Sequence, residues 1–133
     1  QIRKNLEGMA TATASAKVTP EEIGELNVLS TLFHEAKVAG DITQMLKANY
    51  QFRFKIYACA EMPTLMTMIE QLWVRAGPSF HYLYSNSIET FQHINIYQPL
   101  LLALEKKEPD ASHTAICQII DESATFLQQQ YRH

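Results

Sequence analysis

Residues 45–60 read Met-Leu-Lys-Ala-Asn-Tyr-Gln-Phe-Arg-Phe-Lys-Ile-Tyr-Ala-Cys-Ala, and this stretch decides the fold class. Phe52, Ile56 and Ala60 recur every four residues, a spacing that predicts the apolar face of an α-helix. Asn49 and Arg53 are also four residues apart, so their side chains share one face of that helix. This polar pair is a candidate site, but arginine does not release its proton to bind a metal.

The sequence on either side predicts further helices joined by short loops. Thr19-Pro20-Glu21-Glu22 indicates a helix start, because threonine caps, proline suits the first turn and acids suit the positive end of the helix dipole. Gly40 then ends this helix and Asp41 caps the next one. Other helices are predicted over residues 2–17, over 64–74, over 88–107 with a kink at Pro99, and after a cap at Asp110 or Ser112.

No alternating strand pattern and no hairpin dipeptide occurs in the sequence. We therefore predict an all-α, antiparallel bundle of about six or seven helices, formed by residues 1–133 as a single domain.

Composition narrows the class of protein. Hydrophobic residues make up 47% of the 133 residues, which favours a folded globule. The net charge of −3 argues against direct DNA binding by this chain, since DNA-binding domains are usually basic. Neither a membrane span nor a signal peptide is visible, and Cys59 and Cys117 lie in apolar helical patterns without a zinc-binding spacing. These features predict a cytoplasmic protein with reduced thiols and no membrane partner.

An ordered set of short motifs carries a family resemblance: Arg3-x-x-Leu6-Glu7, Thr19-Pro20-Glu21-Glu22, Met62-Pro63-Thr64-Leu65 and Leu72-Trp73-Val74-Arg75-Ala76-Gly77-Pro78. Together they resemble the FCD domain, the effector-binding domain of GntR-family bacterial transcription regulators, and the resemblance covers nearly the whole chain. It implies a helical bundle that forms homodimers and binds a small effector, often an organic acid. It also implies that DNA is bound through a winged-helix domain that precedes the bundle and is absent from this chain.

Many members of that family hold a divalent metal with one Asp and three His side chains. The resemblance places these four positions at Asn49, Arg53, Tyr97 and near Ile119 in this sequence. None of the four carries the metal ligand of the family. The resemblance therefore implies a metal-free variant without a cofactor.

Arg53 is the central candidate for effector binding. Its guanidinium can supply to a carboxylate the positive charge that a metal supplies in relatives, through paired hydrogen bonds. Asn49 can bond the same ligand. The alternative interpretation is an Arg53 at the surface that pairs with an acid.

Four further residues complete the predicted effector site. Arg3 stands where the family places an arginine that reaches the ligand, although it can instead pair with Glu7 at i+4. Arg75 is a third cation, and three cations around one cavity favour a di- or tricarboxylate. Tyr97 can bond the ligand or fill the space of the missing metal, and His93 lies one turn before it.

The sequence thus predicts the ligand-sensing and dimerisation domain of a GntR-type regulator. One alternative is a domain that only dimerises, with aromatic side chains filling its interior. The other is a small α-helical enzyme, but the sequence contains no glycine-rich phosphate loop, no nucleophile elbow and no spacing typical of a catalytic triad. We therefore predict that the chain is not an enzyme.

Overall fold

The structure is a computed structural model that describes residues 2–75 and 95–131, with residues 122–131 described as helix backbone only. His93 lies outside the described residues. Within them the chain forms six helices and no strand, which confirms the predicted all-α fold: α1 (Ile2–Lys17), α2 (Pro20–Ala39), α3 (Ile42–Cys59), α4 (residues 63–75), α5 (Gln98–Glu105) and α6 (Pro109–Tyr131). None of these described helices has the length and apolar character needed to span a membrane.

The predicted ends of α2 are confirmed by their hydrogen bonds. The Glu22 N–H donates to Thr19 Oγ1 at 3.1 Å, and the Thr19 N–H donates to Glu22 Oε1 at 2.9 Å, which forms a capping box. Gly40 adopts φ 74°, a left-handed conformation that glycine reaches without a steric cost, and this ends the helix. Asp41 then caps α3 by accepting the Gln44 N–H at 3.1 Å.

Two prolines begin helices where the sequence predicted otherwise. The predicted kink at Pro99 is wrong, because residues 95–97 are not helical and α5 begins at Gln98 with Pro99 in its first turn. Likewise α6 begins at Pro109, ahead of the predicted caps at Asp110 and Ser112. A first-turn N–H has no partner inside a helix, so proline loses nothing there. Residues 88–94 of the predicted helix lie outside the described residues.

Helix α3 forms the centre of the described bundle. It packs against α1 and α2, while α1 also packs against α6 and α2 against α5. The core side chains of α3 include Phe52, Ile56 and Tyr57, each at most 1% exposed. Burial of an aromatic or branched side chain of this size contributes about 1.5–3 kcal/mol to stability.

The contact between α1 and α6 depends on a glycine. Gly8 is buried in α1, and a Cβ atom at this position would lie 2.6 Å from Nε2 of His113 on α6. Real Cβ atoms do not approach a neighbour so closely, so the His113 ring occupies space that only glycine leaves open. Gly24 in α2 is different, because a Cβ atom there would meet nothing within 4 Å.

These two glycines give a matched test of the packing. We expect Gly24→Ala to raise the free energy of unfolding by about 0.5–1 kcal/mol, because alanine favours a helix over glycine. Gly8→Ala should give a smaller gain or a loss, because the His113 ring must move. In a His113→Ala background, Gly8→Ala should stabilise as much as Gly24→Ala does. Urea unfolding of the wild type, the three single variants and the double variant Gly8→Ala/His113→Ala measures this coupling. Equal effects of Gly8→Ala on stability with and without His113→Ala would contradict it.

Candidate functional site

Asn49 and Arg53 lie on the buried face of α3. Asn49 is 1% exposed and Arg53 is 4% exposed, so the interpretation of Arg53 as a surface residue is wrong. Arg53 nevertheless pairs with an acid, because its Nη2 lies 2.7 Å from Oε1 of Glu7 on α1. The polar face predicted from the four-residue spacing thus points into the bundle, towards the first helix.

Glu7 is a fully buried carboxylate that accepts hydrogen bonds on both oxygens. Oε1 accepts from Arg53, from the Tyr57 hydroxyl and from Trp73 Nε1 at 3.2 Å, while Oε2 accepts from Arg3 Nε at 2.9 Å. Burial by itself raises the pKa of Glu7. The charges of Arg53 and Arg3 and the hydrogen bonds from Tyr57 and Arg53 outweigh burial, so the net shift of this pKa is downward. Glu7 is therefore ionised at neutral pH.

The guanidinium of Arg53 remains charged although it is buried. Burial favours its neutral form, but the neighbouring Tyr57 and Glu7 oxygens outweigh this and raise the pKa of Arg53 well above its usual value. Its Nε donates to the Tyr57 hydroxyl at 3.0 Å. The guanidinium also lies over the Trp73 ring, 5.1 Å from its centre, and that of Arg3 lies 5.7 Å from the same ring. Such contacts stabilise a desolvated cation.

Arg53 has more donors than the described residues accept. A guanidinium carries five N–H groups. The Nε–H bonds Tyr57 and one N–H of Nη2 bonds Glu7, so the remaining N–H groups make no hydrogen bond of normal geometry to a described residue.

Asn49 and Tyr97 are joined directly. The Tyr97 hydroxyl donates to Asn49 Oδ1, and its ring packs against Phe52 and Phe33 at centroid distances of 4.0 and 5.3 Å. Burial raises the pKa of Tyr97 and outweighs the opposing charge of Arg53, so the phenol stays neutral. The Asn49 amide nitrogen makes no hydrogen bond to a described residue. The N–H groups of the Asn49 amide therefore have no acceptor among the described residues, like some of those of Arg53.

The structure brings together four of the six residues predicted for the effector site. Arg3 from α1, Asn49 and Arg53 from α3, and Tyr97 before α5 belong to one buried group of contacts. Arg75 is exposed near the end of α4, with no ion pair to this group within the described part of the chain. His93 lies outside that part.

Three residues of this group were not predicted as site residues: Glu7, Tyr57 and Trp73. The four-residue spacing in the sequence could have pointed to two of them, Glu7 and Tyr57. Glu7 lies four residues after Arg3 and was considered only as its local partner, while Tyr57 continues the Asn49–Arg53 interval of four. Trp73 reaches Glu7 from α4, and no local pattern predicts such a contact.

The four positions that hold a metal in many relatives do not fit a metal ion here. Arg53 places a fixed positive charge among them, and Asn49 Oδ1 already accepts from Tyr97. The fourth position lies near Ile119, which is a buried hydrocarbon side chain. Among the described residues, no three His, Cys, Asp or Glu side chains converge on a point where they could hold a metal.

Comparison with known proteins identifies the family of this chain. The model of the FCD domain family matches residues 1–122. The chain belongs to the FCD family. It is 41% identical over 133 residues to the HTH-type transcriptional regulator McbR of Escherichia coli (strain K12), covering 98% of this chain and 60% of that relative. The solved structure of E. coli McbR/YncC matches with a TM-score of 0.90 at 39% identity, covering 98% of this chain and 62% of that one.

This FCD domain thus spans about 60% of the length of the regulator that it resembles. The FCD family and the printed name of the similar protein, a transcriptional regulator, point to a regulator and not to an enzyme. The prediction that the chain lacks catalytic activity is confirmed on this ground.

A second buried cation lies near the group of contacts around Arg53 and Tyr97. Lys37 in the last turn of α2 is 1% exposed, and its ammonium lies 5.4 Å from the centre of the Phe33 ring, which in turn contacts Tyr97. Burial lowers the pKa of Lys37 to about 8. The ammonium still carries its charge at neutral pH, but it loses its proton under mildly basic conditions.

The Glu7–Arg53–Tyr57 contacts predict the effect of removing one hydroxyl. We expect Tyr57→Phe to lower the free energy of unfolding by about 1–3 kcal/mol, because it removes a buried donor to Glu7 and the acceptor for Arg53 Nε. The matched control is Tyr50→Phe, which should change stability by less than about 0.5 kcal/mol. Tyr50 is half-exposed, and its hydroxyl has no hydrogen-bond partner among the described residues. Urea unfolding measures both variants, and equal losses of stability in Tyr57→Phe and Tyr50→Phe would contradict the hydrogen bonds assigned to the Tyr57 hydroxyl.

The lowered pKa of Lys37 predicts that the stability of the chain depends on pH. Its pKa is about 8 in the folded chain and near 10.5 in the unfolded chain. Between these values the unfolded state binds more protons, so the free energy of unfolding gains a component that rises with pH. Lys37→Met should lack this component, whereas the exposed control Lys47→Met should keep it. Urea unfolding at a series of pH values from 7.5 to about 10 measures the slopes, and parallel curves for all three chains would refute the assignment.

Proposed function

We propose that this FCD domain is the ligand-sensing and dimerisation part of a GntR-type transcription regulator, and that it binds a small carboxylate effector at Arg53 without a metal. The observation that carries the proposal is a buried, charged guanidinium with N–H groups beyond the two that Tyr57 and Glu7 accept. Buried donors of a charged group are costly unless they are hydrogen-bonded. A carboxylate accepts two such donors at once, since its two oxygens match the guanidinium fork.

The surroundings of Arg53 support an acid as the ligand. The unbonded amide nitrogen of Asn49 lies one helical turn away and can donate to the same carboxylate or to a neighbouring polar group. The Trp73 ring beside the guanidinium and the Tyr97 ring beside Asn49 offer aromatic surface to the rest of the ligand. Small-molecule sites commonly combine such surface with a few polar anchors.

The position of these residues suggests how binding is transmitted. They come from α1, from α3, from α4 and from the turn before α5, so a ligand at Arg53 contacts several helices. An acid that binds more tightly to one arrangement of these helices shifts the population towards it. We propose that this shift reaches DNA through a separate domain of a homodimeric, cytoplasmic protein. The name of the relative, an HTH-type transcriptional regulator, supports the DNA-binding part of this proposal.

A thermal-shift screen tests the effector. The wild-type chain is heated with a panel of organic acids and, separately, with Zn²⁺ and Ni²⁺. We expect at least one acid to raise the melting temperature, since a ligand stabilises the state that it binds, and neither metal to do so. Arg53→Met should abolish the response to the acid, and Asn49→Ala should weaken it. The control Lys47→Met removes an exposed cation from the same helix and should respond as the wild type does.

The outcomes separate the alternatives. A response to acid that survives Arg53→Met would refute the site, and if that variant does not fold, Asn49→Ala provides the comparison. A panel without any response would favour a domain that only dimerises. Stabilisation by a metal would contradict the metal-free interpretation. Sedimentation velocity of the same samples measures oligomeric state, and a monomer would contradict the proposed dimer.

A further inference from the structure

We propose that Lys37 is a second anchor of the effector site, so that the site takes a dicarboxylate with one carboxylate at Arg53 and the other at Lys37. This inference rests on the proposed function and names the chemical class of its ligand. It starts from two cations in the interior of the described bundle. Arg53 on α3 is 4% exposed, and Lys37 on α2 is 1% exposed.

A cluster of aromatic rings connects the two cations. The Lys37 ammonium lies 5.4 Å from the centre of the Phe33 ring, and this ring packs edge-on against the Tyr97 ring at a centroid distance of 5.3 Å. The Tyr97 hydroxyl donates to Asn49, and the charge of Arg53 beside it acts on the pKa of this phenol. Two helices thus bring a cation to the same tyrosine, Arg53 directly and Lys37 by way of Phe33.

The two acidic groups of a dicarboxylate match this placement. One carboxylate binds the guanidinium N–H groups of Arg53 that remain beyond those bonded to Tyr57 and Glu7. The second carboxylate of a small ligand needs a cation of its own, because an unpaired charge is costly where water is excluded. Lys37 supplies this cation. An ammonium carries three N–H donors, and one of them is enough for the ligand, alongside the other contacts that Lys37 makes.

Packing alone does not require an ammonium at position 37. Burial disfavours the charged form of Lys37, and a methionine would fill a similar volume without this cost. A cation in the last turn of a helix gains from the helix dipole, but an exposed lysine gains in the same way, so the dipole does not account for the burial. A carboxylate at Lys37 favours its charged form and recovers part of the cost of burying it.

This conclusion keeps the class of ligand expected from sequence and changes the residue that accounts for it. Arg75 was the third cation on which the expectation of a di- or tricarboxylate depended, and it is exposed. Lys37 was not predicted as a site residue, because its position in the sequence gives no indication that its side chain is buried beside Phe33.

Isothermal titration with acids that differ in the number and spacing of their carboxylates tests the second anchor. Butyrate and succinate have equal carbon number, and malonate, succinate, glutarate and adipate vary the spacing. Near pH 7 and at constant ionic strength, we expect the best diacid to bind the wild type at least about tenfold more tightly than butyrate, the effect of one hydrogen bond between charged groups. Lys37→Met should remove this advantage and leave the affinity for butyrate within about twofold. The control Lys47→Met removes an exposed cation and should keep the advantage.

The pH dependence of the same titrations distinguishes an anchor from a structural lysine. Lys37 loses its charge as the pH rises through its pKa of about 8. Over this range Arg53 and Glu7 keep their charges, and Tyr97 stays neutral because its pKa is raised. The advantage of the diacid over butyrate in the wild type should therefore fall by about tenfold between about pH 7 and about pH 9, while the affinity for butyrate stays nearly constant.

The outcomes separate the second anchor from the proposed function. If no acid binds the wild type, the proposed function fails. If butyrate binds the wild type as tightly as every diacid, the second anchor is wrong while the proposed function stands. Equal losses of affinity for butyrate and for the best diacid in Lys37→Met would assign Lys37 a structural role and overturn the inference. Should Lys37→Met not fold, the wild type decides, and an advantage of the diacid that is independent of pH over this range would refute the second anchor.

Discussion

The contact between Glu7 and Arg53 is the interaction on which the described structure depends most. It joins α1 to α3 through two charges that are both almost fully removed from water. Buried ion pairs add little net stability, because desolvation offsets the attraction, but removal of one partner costs about 3–5 kcal/mol. The pair therefore acts mainly on specificity: any arrangement of α1 that separates the two charges is strongly disfavoured. It fixes which face of the first helix meets the centre of the bundle.

Other features of the bundle follow from this pair. Tyr57 bridges the two charges, and Trp73 brings α4 to the carboxylate while its ring lies against both guanidinium groups. Among the described residues of this group, the donors without a hydrogen-bond partner belong to Arg53 and Asn49. One part of the site, around Glu7, thus has its hydrogen bonds complete, whereas Arg53 and Asn49 still have N–H groups that no described residue accepts. The proposed effector could therefore add contacts at Arg53 and Asn49 while the hydrogen bonds of Glu7 stay in place.

Sequence predicted the parts of this molecule that depend on local rules. The cap at Thr19, the left-handed Gly40 and the helix period around Phe52 each act over a few residues, and all are found in the structure. Pro99 was misinterpreted because a proline inside an apolar run is compatible with a kink or a helix start, and only tertiary context decides. Glu7 was underestimated for a related reason. Its spacing from Arg3 shows a local pair, but its contact with Arg53 spans 46 residues and depends on how α1 packs.

In the proposed metal-free site an arginine takes the place of a metal, and this changes what the domain senses. A metal site holds its charge only while the ion is bound, so ligand affinity depends on metal supply and on the protonation of the metal ligands. Arg53 is part of α3 and its pKa is raised further by its neighbours, so its charge is constant at physiological pH. Glu7 is ionised over the same range because both arginines lower its pKa. The charges of Arg53 and Glu7 are therefore set by their buried neighbours and stay constant across physiological pH.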